Sequence, residues 1–235
     1  MTLEATLGLA LMAGLAIPAG ALVSAHHGLR SYCFEHEIDS FVSYFGGGAL
    51  LAAVALVLVP FGMEHAHVAS AAVAFLIGGL VFWQVSSWLK RRGTTVAQFL
   101  GMLLDFIPEG IALGAAVATG SHVAYLLALL IALQNMPEGF ASFHEMRQGG
   151  MRLGRLWTIF LLAPLAGPLA AWFGFALLAA EDQVLALLML FCSGGILYLI
   201  FEDIAPGAHM TRETLPAMGS VAGFVLGLIG AMLIH

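Results

Sequence analysis

Charge is what this sequence lacks. Only 9% of its 235 residues are Asp, Glu, Lys or Arg, and 61% are hydrophobic. Soluble domains carry about 25% charged residues. A soluble domain is thereby excluded, and the expectation is an all-α, polytopic integral membrane protein with one transmembrane domain spanning 1–235. Cysteine is scarce too. Cys33 and Cys192 lie far apart, so neither a disulfide framework nor a metal-type Cys pair is expected. No P-loop is present to couple nucleotide hydrolysis, and no nucleic-acid partner is implied. No His-Glu-x-x-His motif is present, as an intramembrane metallohydrolase would need for two zinc ligands and a base. Every acid can be spent as a ligand, so an enzyme is not expected. No basic segment precedes the apolar residues near 5–25, which read as a first mature helix rather than a cleaved signal. The formal charge of −6 says little, because placement outweighs the sum.

What is present is apolar length. A spanning helix needs about 20 mostly apolar residues. Eight stretches qualify, roughly 4–25, 41–62, 68–89, 96–119, 122–144, 157–179, 184–205 and 216–234. The eight basic residues, Arg30, Lys90, Arg91, Arg92, Arg147, Arg152, Arg155 and Arg212, all follow odd-numbered stretches. The positive-inside bias then makes those loops cytoplasmic and both termini extracytoplasmic, in a multi-pass protein of the plasma (inner) membrane.

Two of the stretches carry nearly the same phrase. One reads Asp105-Phe106-Ile107-Pro108-Glu109-Gly110, the other Gln134-Asn135-Met136-Pro137-Glu138-Gly139. Ionisable residues inside spans are costly and by default functional. Residues four apart share a helix face, which pairs Asp105 with Glu109 and Gln134 with Glu138. Pro108 and Pro137 free the carbonyls of Leu104 and Leu133 and tend to kink each helix. Such breaks are tolerated at membrane depth where the backbone lines a cavity or is satisfied by neighbours. Gly110 and Gly139 allow close helix approach. Together these features describe two kinked helices around a polar pocket with three carboxylates and one amide oxygen. Oxygen ligands suit hard or borderline divalent cations. Three buried negative charges need a cation or protons to compensate them. A purely structural staple suits a Glu–Gln or Glu–Asn pair better than three acids with no buried Lys or Arg.

With these motifs the chain resembles the ZIP family of divalent-metal transporters. Gly46-Gly47-Gly48-Ala49 and Ser193-Gly194-Gly195-Ile196, the latter leading to Glu202-Asp203-Ile204-Ala205-Pro206, are similar to the family's second and seventh spans. The resemblance implies eight spans in a 3+2+3 arrangement with both termini outside. It places the metal ligands on Asp105, Glu109, Gln134 and Glu138, with Asp105 where the family usually has His. It also implies that a neighbouring second metal site is largely lost. Phe106 replaces a ligating Asn and narrows the path, Asn135 offers only a weak ligand, and Gly167 stands where a Glu precedes proline. Glu202 and Asp203 are candidates for a cytoplasmic release route, joined by His144, Glu145 and His209. Acids at a helix C-terminus oppose its dipole, a cost that wants a reason. Glu64, His65 and His67 are candidates for recruiting metal outside.

The expected function is movement of a divalent metal toward the cytoplasm through this single site, with spans one, four, five and six moving elevator-like against the other four. The metal is substrate, and no cofactor is expected. Zinc is the family default, and a site without His leans toward Mn²⁺ or Fe²⁺ without excluding Zn²⁺ or Cd²⁺. The alternative is a ZIP-like metal-binding sensor or regulator that does not transport. Lipid is the surrounding partner, and small-residue faces are compatible with a homodimer.

Overall fold

Long runs of Leu, Ala, Val and Gly leave the backbone little choice but to bond within itself, and the chain folds as helices. A computed structural model describes residues 2–27, 32–91, 96–118, 120, 123–177, 181–205 and 215–234. The helices are α1 (Leu3–His27), α2 (32–65), α3 (Val68–Arg91), α4 (Ala97–Ala118), α5 (Val123–Gln148), α6 (Leu153–Leu177), α7 (182–204) and α8 (Leu215–Ile234). Seven are long and apolar enough to cross a membrane, and an eighth, shorter apolar stretch is Ala217–Leu233. No strand occurs among the described residues. The architecture is that of an all-α membrane protein.

Three helices change pitch at prolines. α2 passes through a π turn, Val54–Leu58, just before Pro60, and α7 ends in another, Ile200–Ile204. Proline has no N–H for the carbonyl four residues back. In α2 the ladder slips by one residue ahead of it, with the Val59 N–H donating to the Val54 carbonyl. In α7 the Ala205 N–H likewise donates to the Ile200 carbonyl, and the next residue in sequence is Pro206. α6 tightens into a 3₁₀ turn at Ala163–Leu165, around Pro164. α5 closes with a Schellman cap. Gly150 has φ 81°, its N–H donates to the Arg147 carbonyl, and the Met151 N–H donates to the Met146 carbonyl.

The helices group by close approach. α1 packs on α5, α6 on α4, and α1 on α6; α2 packs on α8 and α3 on α7. Glycines make the contacts backbone to backbone: Gly20 on Met136, Gly139 on Ile17, Gly114 on Ala171, Gly174 on Ile111, Gly48 on Ser220 and Gly78 on Phe191. Small residues at such crossings are how helices associate where lipid offers no hydrophobic drive. Two sets result, α1/α4/α5/α6 and α2/α3/α7/α8, which meet chiefly through α2–α5 and α4–α7.

α6 also repeats the burial pattern of α1 in the same sequence order, while the two helices run antiparallel, with Gly14 on Pro164 and Gly167 on Ala10. Thr6, Ala10, Ala13, Ile17 and Ala21 are buried along α1, and Leu156, Phe160, Ala163, Gly167 and Ala171 at matching places along α6. Both contain Leu-Ala-x-Pro, at Leu15–Pro18 and Leu165–Pro168. Inverted repeats with irregular helices at their interface are the build of many transporters, and they put the central site between the halves. Here that interface holds α4 and α5.

Candidate metal-binding site

α4 and α5 bring the two Pro-Glu-Gly turns together. Gly110 faces Ala170 and Gly167 of α6, and Gly139 faces the Ile17 backbone of α1, so each turn is pressed inward by one of the repeated helices. Asp105, Glu109 and Gln134 are fully buried between them. The Gln134 side chain orders the group: its Nε2 donates to Glu109 Oε2 at 2.5 Å and to Asp105 Oδ2 at 3.4 Å. That spends the amide's donors on the two carboxylates. Asp105 Oδ1, Glu109 Oε1, Gln134 Oε1 and Glu138 Oε2 have no hydrogen-bond partner. Buried oxygens left in this way cost free energy unless something binds them.

Glu138 is only half-buried and opens on a cavity of about 350 Å³. Gly46, Ser86, Lys90, Gln98 and Glu145 line it as well, so it leads from Glu138 to the basic end of the helices. An adjoining space of about 300 Å³ shares Glu145 and reaches Tyr44, His144 and Gln148. Away from that cavity, Phe106 is buried with its ring tip wedged between α1 and α6. A Cβ on Gly14 would stand 3.1 Å from the ring's Cζ, and one on Gly167 would stand 2.6 Å from it. A side chain at Gly167 would collide with the ring and with the Ala10 carbonyl, and one at Gly14 would press on the ring. Asn135 turns its Nδ2 to the Ala13 carbonyl at 3.2 Å, tying α5 to α1, and its Oδ1 is unpartnered.

The other residues singled out in the sequence sit elsewhere. Glu64, His65 and His67 are exposed at the far end of α2, away from the cavity. The His65 ring stacks on Phe61 at 4.4 Å. His144 Nε2 lies 2.6 Å from Gln148 Nε2. Glu202 receives the Lys90 ammonium at Oε1 and the Ser86 hydroxyl at Oε2, the latter at 3.0 Å. The Asp203 side chain and His209 lie outside the described residues. Among the described residues, no three His, Cys, Asp or Glu side chains are gathered closely enough to hold a metal without movement. Asp105, Glu109 and Gln134 are assembled, and Glu138 stands beside them at the cavity's inner end. Sequence reasoning missed the Lys90–Ser86–Glu202 group; its one signal was a single lysine at the end of an apolar stretch.

No family model matches the chain. Matches to individual proteins are more telling. The chain is 24% identical over 214 residues to zinc transporter ZIP9 of Xenopus tropicalis, covering 87% of this chain and 64% of that protein. It is 32% identical over 132 residues to zinc transporter GufA of Myxococcus xanthus, covering 55% of this chain and 52% of that one. It is 26% identical over 129 residues to zinc transporter ZIPB of Bordetella bronchiseptica, covering 54% and 42%. These matches support a ZIP family assignment. The chain thus spans 64%, 52% and 42% of the lengths of these three relatives. Asp105 and Phe106, at the start of the first Pro-Glu-Gly phrase, are both buried.

Proposed function

We propose that the chain carries a divalent metal cation across the membrane through one site made by Asp105, Glu109, Gln134 and Glu138. The observation that carries this reading is the set of four unpartnered oxygens on facing Pro-Glu-Gly turns, one of them at the inner end of an open cavity. Three carboxylates without a basic partner want a cation, and an M²⁺ ion with oxygen ligands supplies it. The similarity to zinc transporters favours Zn²⁺; the all-oxygen donor set leaves room for Mn²⁺, Fe²⁺ and Cd²⁺.

The direction is toward the end that bears Lys90, Arg91 and Arg147. By the positive-inside bias that end is cytoplasmic, in the plasma membrane. Release runs past Glu138 to Glu145, His144 and Glu202, with Asp203 and His209 next along the chain. Movement is elevator-like, α1/α4/α5/α6 against α2/α3/α7/α8; the close glycine packing inside each set and the fewer contacts between sets support it. The second reading is a metal-binding regulator without flux, favoured by the Phe106 ring wedged between Gly14 and Gly167.

Metal uptake by proteoliposomes tests both. Saturable uptake of one of Zn²⁺, Cd²⁺, Mn²⁺ or Fe²⁺ by the parent chain, abolished in Glu138→Ala, is the expected result. Metal binding by the parent with no flux of any of the four would replace transport with the regulator reading.

A further inference from the structure

The mouth of the cavity holds a cation of the protein's own. Lys90 is the chain's only lysine. It ends α3, lines the same cavity as Glu138, and pairs with Glu202 of α7, 112 residues away. Ser86, one turn earlier on α3, donates to the other oxygen of the same carboxylate. Both oxygens of Glu202 are therefore engaged from one neighbouring helix. Glu202 lies in the π turn Ile200–Ile204, and single π turns of this kind recur at functional sites.

We propose that Lys90 is a tethered competitor for the cargo, which keeps Glu202 from holding a metal ion at the exit. The inference rests on the transport reading above. A cavity lined by Glu138 and Glu145 with a third carboxylate at its mouth draws in a cation strongly and lets it go poorly. An ammonium on a flexible four-carbon stem occupies that third carboxylate without leaving the protein. Its attraction is weaker than a divalent ion's at equal distance, because Coulomb energy scales with charge. The pair is also partly exposed, 49% for Lys90 and 27% for Glu202, so water screens it and it exchanges readily. Lys90 can thus yield to a passing ion and return behind it. The same pair answers why an acid stands at the C-terminal end of a helix, where it opposes the dipole.

Zn²⁺ binding to the purified full chain in detergent, by calorimetry, tests the proposal independently of flux. The parent is expected to bind Zn²⁺ in a manner lost in Glu138→Ala. Lys90→Met is expected to add one weaker Zn²⁺ ion per chain, Lys90→Met/Glu202→Gln to lose it again, and Lys90→Arg to match the parent. In proteoliposomes, Lys90→Met should slow uptake at saturating metal by about two- to fivefold, the range an exposed ion pair supports. Parent-like stoichiometry and uptake in a folded Lys90→Met chain would overturn the role of Lys90 and leave the transport reading standing. A parent chain that binds no Zn²⁺ and moves none of the four metals would remove the transport reading itself.

Discussion

Gln134 is the residue that ties two buried acids together. Its amide donates to both Glu109 and Asp105 and keeps its own oxygen free. Gln134→Leu should therefore weaken the empty protein by about 1–3 kcal/mol, the usual penalty for orphaned buried groups. It should also erase metal-induced stabilisation. For the parent that gain is about 2.7 kcal/mol when free metal is a hundredfold above its dissociation constant. Thermal melts with and without Zn²⁺ check both parts, and a mutant melt that still rises with Zn²⁺ would contradict them. Asn135→Ala should cost about 1 kcal/mol through loss of the bond to the Ala13 carbonyl, with the number of bound ions unchanged. At this scale the sequence was legible where chemistry is local. The four-residue spacing of Asp105–Glu109 and Gln134–Glu138 says which side chains share a face. It does not say where the Phe106 ring goes, because the space between Gly14 and Gly167 exists only once α1 and α6 cross.

Helices here are recognised by their glycines as much as by their apolar residues. Gly139 and Gly114 meet backbone, which cannot step aside, whereas Gly8 has nothing within 4 Å. Gly139→Val should cost at least about 1–3 kcal/mol from overpacking and reduce the folded yield on size-exclusion chromatography. Gly8→Ala should leave yield and melting temperature intact, and equal loss in both variants would refute this account of the crossings. The number and type of helices were legible from hydropathy alone. Their ends were less so. α5 runs to Gln148 and α6 starts at Leu153, each a turn into polar sequence, because Arg147 and Arg155 are compatible with helical ends that hydropathy discounts. The Leu-Ala-x-Pro phrase shared by α1 and α6 was in plain view as a repeat signal. Its meaning depends on burial, which only packing supplies.

For the molecule as a whole, the cavity beside Glu138 predicts one-sided access. The cavity joins Glu138 to the basic end, and the Phe106 wedge lies away from it. With Cys33 replaced by Ser, a Glu138→Cys chain in sealed vesicles should react with a membrane-impermeant thiol reagent applied at the basic-loop side. The same reagent at the opposite side should label it at least tenfold more slowly, and equal labelling from both would discard the one-sided picture. Adding Phe106→Ala should narrow that difference. Long-range pairings such as Lys90–Glu202 were beyond reach of the sequence, since nothing local connects α3 to α7. On the transport reading, the position of Glu138, half in the cavity and beside three buried partners, fixes an order in time for release. An ion bound for the cavity gives up Gln134, Asp105 and Glu109 first, water taking the place of each. It keeps Glu138 until last. Rehydration becomes a staircase of single exchanges, and the height of its last step is set by one side chain.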